Sequence, residues 1–168
     1  IKNTVSTLPM GLTFDQNTNT ISGTPSKLGS YPIVITSVDP SGNTTTTKFT
    51  INVTDTIAPT ITNITDQTKE VNTPIESVKV NATDNSGEVL SNTVSGLPDG
   101  VTFNPETNII SGTPTKVGEY NVTVTSKDSS GNSSSTTFKI SVTDTIAPNV
   151  DAVSDQTKEV NTSIEPIT

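Results

Sequence analysis

Three stretches of the chain alternate strictly between apolar and polar residues. Val78, Val80 and Ala82 alternate with Lys79, Asn81 and Thr83; Tyr120, Val122 and Val124 with Asn121, Thr123 and Thr125; Phe138, Ile140 and Val142 with Thr137, Lys139 and Ser141. A period of two sends successive side chains to opposite faces of a strand, so each stretch predicts a strand with one buried and one wet face. Turn-forming runs separate them: Leu97-Pro98-Asp99-Gly100, Asn104-Pro105-Glu106, Gly112-Thr113-Pro114 and Ser129-Ser130-Gly131-Asn132. About seven short strands with turns at roughly ten-residue spacing predict an all-β, Greek-key sandwich of the immunoglobulin-like type. No stretch carries a helical period.

The pattern occurs twice. Leu8-Pro9 returns at Leu97-Pro98, Ile21-Ser22-Gly23-Thr24-Pro25 at Ile110-Ser111-Gly112-Thr113-Pro114, and Asp55-Thr56-Ile57-Ala58-Pro59 at Asp144-Thr145-Ile146-Ala147-Pro148, each 89 residues later. Residues 1–79 align with 90–168 without a gap, and 45 of the 79 positions are identical. That difference in position is too long for one coil of a solenoid and close to a whole sandwich domain. Pro59 and Pro148 suit a linker or the start of a first strand, since proline donates nothing to a ladder. The expected organisation is the later part of one repeat over 1–56, a complete repeat over 57–145, and the opening strands of a third over 146–168. Those last strands are candidates to complete the 1–56 piece, in the same chain or from a neighbour.

Composition narrows the chemistry. Nine Lys against 17 Asp plus Glu give a net charge of −8 in 168 residues, and there is no Arg, His, Cys or Trp. A nucleic-acid footprint needs clustered basic residues, as does a polybasic membrane patch. Disulfides, thiol nucleophiles, zinc sites and histidine bases are excluded by the same absences. No apolar run approaches the ~20 residues of a spanning helix. Hydrophobic residues make up only 29%. About a fifth of the chain is Thr, and Val and Ile supply most of the apolar content, which favours thin-cored, half-buried strands over disorder. Glycoside hydrolysis would need a carboxyl of raised pKa in an aromatic-lined pocket, and the six aromatics fall mostly at inward strand positions. The chain reads as non-enzymatic.

Hard-metal binding by oxygen remains. Calcium takes six to eight oxygen ligands from carboxylates, carbonyls and water. In a sandwich of this topology, the strand over about 133–142 runs roughly 30 Å, so Asp128 before it and Asp144 after it lie at opposite poles. Asp55 leaves the preceding repeat and meets the entry pole of the complete one. Asp84, in Asp84-Asn85-Ser86-Gly87, and Asp128 with Asn132, in Asp128-Ser129-Ser130-Gly131-Asn132, sit at that pole. The alternative is that Asp84 and Asp128 are ordinary turn formers bonding their own backbone, with Asp55 and Asp144 as solvated linker carboxylates.

Leu97-Pro98-Asp99-Gly100-Val101-Thr102-Phe103, Ile110-Ser111-Gly112-Thr113-Pro114 and Gly118-Glu119-Tyr120-Asn121-Val122-Thr123-Val124 resemble the Ig-type repeats of bacterial surface proteins, relatives of cadherin-like domains. The linker Val142-Thr143-Asp144-Thr145-Ile146-Ala147-Pro148 and Asp155-Gln156-Thr157-Lys158-Glu159-Val160-Asn161-Thr162 look like the tandem repeats of staphylococcal biofilm-associated adhesins. The resemblance implies an extracellular, wall-anchored adhesin stalk of a Gram-positive cell, in contact with neighbouring repeats of the same protein. It also implies calcium at the junctions: Val80-Asn81-Ala82-Thr83-Asp84 resembles the mid-domain acidic motif of cadherins, and Glu70 stands where cadherins keep an early-strand glutamate, to serve the next junction with Asp144. The linker has one acid where cadherins have two, and Asn85-Ser86 replaces a second acid. Glu70 and Glu159, beside Lys69 and Lys158, also read as plain surface charge. The alternative function is an adhesive module making homophilic or host-ligand contacts.

Overall fold

The structure is a computed structural model and describes residues 1–87 and 90–167. Fourteen strands and no helix occur among these residues. The first five are β1 (Lys2–Val5), β2 (Leu12–Asp15), β3 (Thr20–Gly23), β4 (Gly29–Val38) and β5 (Thr44–Val53). β1, β4 and β5 form one antiparallel sheet, and β2 and β3 form a separate hairpin. After a strandless linker come β6 (Thr60–Ile61), β7 (Gln67–Glu70), β8 (Val78–Lys79), β9 (Ala82–Thr83) and β10 (Ser91–Ser95). β11 (Val101–Asn104), β12 (Ile109–Gly112), β13 (Gly118–Lys127) and β14 (Ser133–Thr143) complete the set. One sheet runs β10-β13-β14-β7, faced by β11-β12-β8 and the short pair β6-β9.

β10–β14 repeat β1–β5 strand for strand at the same 89-residue shift. In the β13–β14 ladder Val122 stands opposite Phe138, and the inward set includes Val122, Val124, Phe138, Ile140 and Val142. Ile75, Val80, Val101 and Ile110 meet them from the other side, closing one core. Each such side chain contributes about 1.5–3 kcal/mol on burial. Across 1–56 the only large hydrophobic side chain in the buried core is Ile33.

The predicted strand over 78–83 appears as two pieces. β8 pairs with β12 while β9 pairs with β6, and the Val80 amide bonds the Asn108 carbonyl where the chain changes partners. β7 was not legible as a strand, because Gln67-Thr68-Lys69-Glu70 has no apolar face; it lies parallel to β14, with Ile140 opposite Gln67 and Thr143 opposite Glu70. Asp66 secures its start by accepting the Lys139 amide at 2.7 Å.

Two glycines make the sandwich edge close enough to pair. Gly100 (φ +87°) and Gly112 (φ +139°) lie across from one another, and a Cβ on either would stand 2.1–2.2 Å from a carbonyl oxygen of Thr113 or Gly100. Only glycine tolerates both the dihedral and the approach.

Residues 144–167 contain no strand and are exposed throughout. The opening strands expected beyond 146 are not paired here with β1–β5. A strand exists only through its ladder, and a lone hairpin without a sheet beneath it is marginal in water.

Candidate metal centre at the repeat junction

Three elements converge where the linker enters the complete sandwich. Asp55 follows β5, Asp84 follows β9, and Asp128 follows β13. One carboxylate oxygen from each lies within 4.8 Å of the others; Asp128 is buried and the other two half-buried. The topology that places the β9–β10 and β13–β14 connections at one pole brings these three together, as the sequence predicted.

Each carboxylate is aimed by its own turn. Asp84 accepts the hydroxyl (2.6 Å) and the amide (2.9 Å) of Ser86, and these bonds hold its carboxyl below the ordinary 3.8. Asp128 accepts the Asn132 amide and side-chain nitrogen, both at 2.8 Å. Asp55 accepts the Ile57 amide at 3.1 Å. The turn-forming reading of these residues is therefore correct as far as it goes, yet it uses only part of their capacity. Asp55 Oδ2 and Asp84 Oδ1 are buried without a hydrogen-bond partner. Buried acceptors are nearly always satisfied, and an ionised one left bare is costly. The ion pairs among the described residues are Lys69–Glu76, Lys139–Glu119 and Lys158–Glu165; none reaches the three aspartates.

Asn132 belongs to the site in a role the sequence did not reveal. Its side-chain nitrogen also donates to the Asp55 carbonyl at 3.2 Å, tying the β13–β14 loop to the linker. Ser134 adds a second tie through its hydroxyl to the Pro59 carbonyl. The sequence places Asn132 with Asp128 at this pole as a candidate metal-site residue; its donor contact with Asp55 spans 77 positions and leaves no local signal.

Asp144 and Glu70 lie elsewhere, at the opposite pole, and are not part of the acidic cluster. Glu70 accepts the Thr145 hydroxyl, the Thr145 amide (3.1 and 3.2 Å) and the Thr143 hydroxyl (3.3 Å), which lower its carboxyl below 4.5. Asp144 accepts the Ile146 amide at 3.3 Å, repeating the turn of Asp55.

The donor set is all oxygen, carries three carboxylates and has two acceptors with nothing to accept. These residues fit a hard divalent cation of the calcium type, which takes carboxylates, backbone carbonyls and water in flexible geometry. They do not suit a soft metal, for the chain has no thiolate or imidazole to offer.

Fold and site together define a tandem Ig-like sandwich segment with an acidic inter-repeat junction. The chain belongs to the family described as Putative Ig domain, whose model matches residues 1–54 and again 58–143. Over 143 residues it is 51% identical to the "Serine-rich adhesin for platelets" of Staphylococcus aureus (strain MRSA252), covering 85% of this chain and 11% of that protein. The adhesin of the same name from strain USA300 is 50% identical over 143 residues, covering 85% of this chain and 6% of that protein. The chain thus spans about a tenth or less of the length of the curated relatives it matches. Among solved structures, extracellular cadherin domains 1–4 of Protocadherin Gamma B7 align with 86% of this chain and 42% of that one, at 17% identity and a TM-score of 0.42. The resemblance to staphylococcal adhesin repeats drawn from the motifs stands on the family and adhesin matches.

Proposed function

We propose that this chain is a stalk segment of an extracellular, wall-anchored bacterial adhesin serving cell adhesion and biofilm formation, and that calcium stiffens its repeat junctions. It is a mechanical element, not an enzyme, and its first partners are neighbouring repeats of the same protein. The observation that carries the reading is the pair of buried, unpartnered oxygens on Asp55 and Asp84 beside Asp128, drawn from both sides of one linker. Without a cation the three carboxylates repel, and repulsion between linker and sandwich loosens the hinge. Asp55, Asp84 and Asp128 would hold the ion, and the ion would supply the positive charge that joins linker to loops. Asn132 and the Ile57 and Ser86 amides keep the carboxylates in place. A ligand that binds only the folded state raises stability by mass action.

Thermal melting with and without millimolar calcium tests this. The expected result is a higher melting temperature in calcium, reversed by chelator and lost in Asp55→Asn, which alters charge but leaves the core alone. An identical melt in calcium and chelator would refute the metal centre while leaving the stalk reading intact.

A further inference from the structure

Beside the three aspartates, one rung of the sandwich carries polar atoms that the fold leaves idle. Asn92 of β10 stands directly opposite Ser126 of β13. Ser126 is 0% exposed, and both its hydroxyl oxygen and Asn92 Oδ1 are buried without a hydrogen-bond partner. The Asn92 amide is not loose, because its nitrogen donates to Asn108 Oδ1 at 2.9 Å. That bond fixes the amide and leaves its oxygen to face elsewhere. A direct bond along such a rung is within reach: at the equivalent pair of the first repeat, the Ser37 hydroxyl donates to Asn3 Oδ1 at 2.6 Å. The Asn92–Ser126 rung makes no such bond.

This rung adjoins the acidic junction on two sides. Burial alternates along β13 and past its end through Val122, Val124, Ser126 and Asp128, so Ser126 and Asp128 face the same interior. Asp84, Asn92 and Asn108 line one cavity. Among the described residues, the buried side-chain polar atoms with no partner are Asp55 Oδ2, Asp84 Oδ1, Asn92 Oδ1 and Ser126 Oγ. All four are oxygens, and all four belong to the entry pole. Oxygens hidden together from solvent need a donor or a positive charge to face them. The carboxylates call for charge, and the two neutral oxygens call for hydrogen.

We propose that Asn92 and Ser126 form the inner wall of the same site and seat a water ligand of its cation, a role that rests on the metal reading of the junction and adds two residues to it. Calcium fills part of its coordination shell with water. Such a water spends a lone pair on the ion and has two hydrogens left to place. Asn92 Oδ1 accepts only, and the serine oxygen has lone pairs with which to accept. Facing residues on one ladder stand about 5 Å apart at Cβ, which lets a single water reach both. Asn92 and Ser126 are thus positioning residues, holding a ligand of the ion as outer-shell groups hold the ligands of other metal sites. The seat carries no charge, so it sets affinity without changing the repulsion among the three carboxylates.

Calorimetric titration of the whole chain with calcium, alongside melting in calcium and in chelator, tests the seat. Ser126→Ala leaves every charge in place and should lower calcium affinity about tenfold. In chelator the same variant should melt no lower than the parent, because a buried hydroxyl without a partner contributes only its desolvation cost. A loss confined to the calcium-bound state is one that a purely structural serine would not produce. Asn92→Ala should weaken calcium binding as well, and the double variant should lose less than the two losses combined, since both side chains hold one molecule. A parent chain that binds no calcium overturns the seat together with the metal centre. Three results overturn the seat alone: calcium affinity that Ser126→Ala leaves unchanged, an equal fall in its melting temperature with and without calcium, or strictly additive losses in the double variant.

Discussion

Single side chains set the turns, and the two repeats act as mutual controls. The β2–β3 hairpin is built on Asp15, whose Oδ1 accepts the amides of Asn17 (2.8 Å) and Thr18 (3.4 Å). The β11–β12 hairpin uses Asn104 in the same way, accepting Glu106 (2.9 Å) and Thr107 (3.2 Å). The acceptor geometry is shared, but only Asp15 titrates. The Asn17 amide first, then that of Thr18, lowers its carboxyl below 3.8. A depressed carboxylate contributes its full stabilisation above the unfolded value and loses it as pH falls through the folded one. Amide protection in the β2–β3 hairpin should therefore decay below about pH 3.8, while the β11–β12 hairpin keeps its own. Asp15→Asn should abolish the difference, as hydrogen exchange followed by NMR would show; equal acid sensitivity of both hairpins contradicts the assignment.

At the scale of elements, Glu70 at the end of β7 ties down the exit of the complete repeat. Its carboxylate gathers Thr143 and Thr145 and sets the direction in which the linker leaves β14. The Val71 amide on the Thr143 carbonyl fixes the same corner. Glu70→Ala removes the acceptor and should release amide protection at Thr145 without lowering the melting temperature of the sandwich by more than a few degrees, since the core is untouched. Glu70→Gln, which retains one carbonyl acceptor, should restore part of it. A loss of global stability equal to that of a core substitution would show that Glu70 supports the fold itself. This element marks a limit of reading from sequence. Period-two alternation exposed β13 and β14 because each has one apolar face. β7 has none: its place is fixed by a parallel ladder and by the polar anchors Asp66, Gln67 and Glu70, whose partners lie more than seventy positions away or follow a bend invisible in composition. The acidic pole was legible for the opposite reason. Two strands of known direction and a repeat of known length suffice to bring Asp55, Asp84 and Asp128 together, whereas the donor role of Asn132 depends on where its amide turns after folding.

For the whole molecule the question is how stiffly one repeat is held to the next, and two devices meet at the same hinge. Asn132 and Ser134 bond the carbonyls of Asp55 and Pro59 with no help from an ion, so the linker is partly fixed before any cation arrives. The carboxylates act against this: three like charges share a space of 4.8 Å, and their repulsion is strongest where water is least able to screen it. Raising monovalent salt weakens repulsion between the exposed parts, but the buried oxygens are screened far less. The two devices are therefore separable. Asn132→Ala should widen the distribution of inter-repeat orientations in chelator, measured by small-angle scattering or residual dipolar couplings, and calcium should narrow it again because the ion joins the linker to the loops independently of the amide. Asp84→Asn should do the reverse: near-normal order in chelator, where one repulsive charge is gone, and little further narrowing on adding calcium. If Asp84→Asn narrows on adding calcium as much as the parent chain does, the ion acts somewhere other than the acidic cluster, and the cluster has no mechanical part in the hinge.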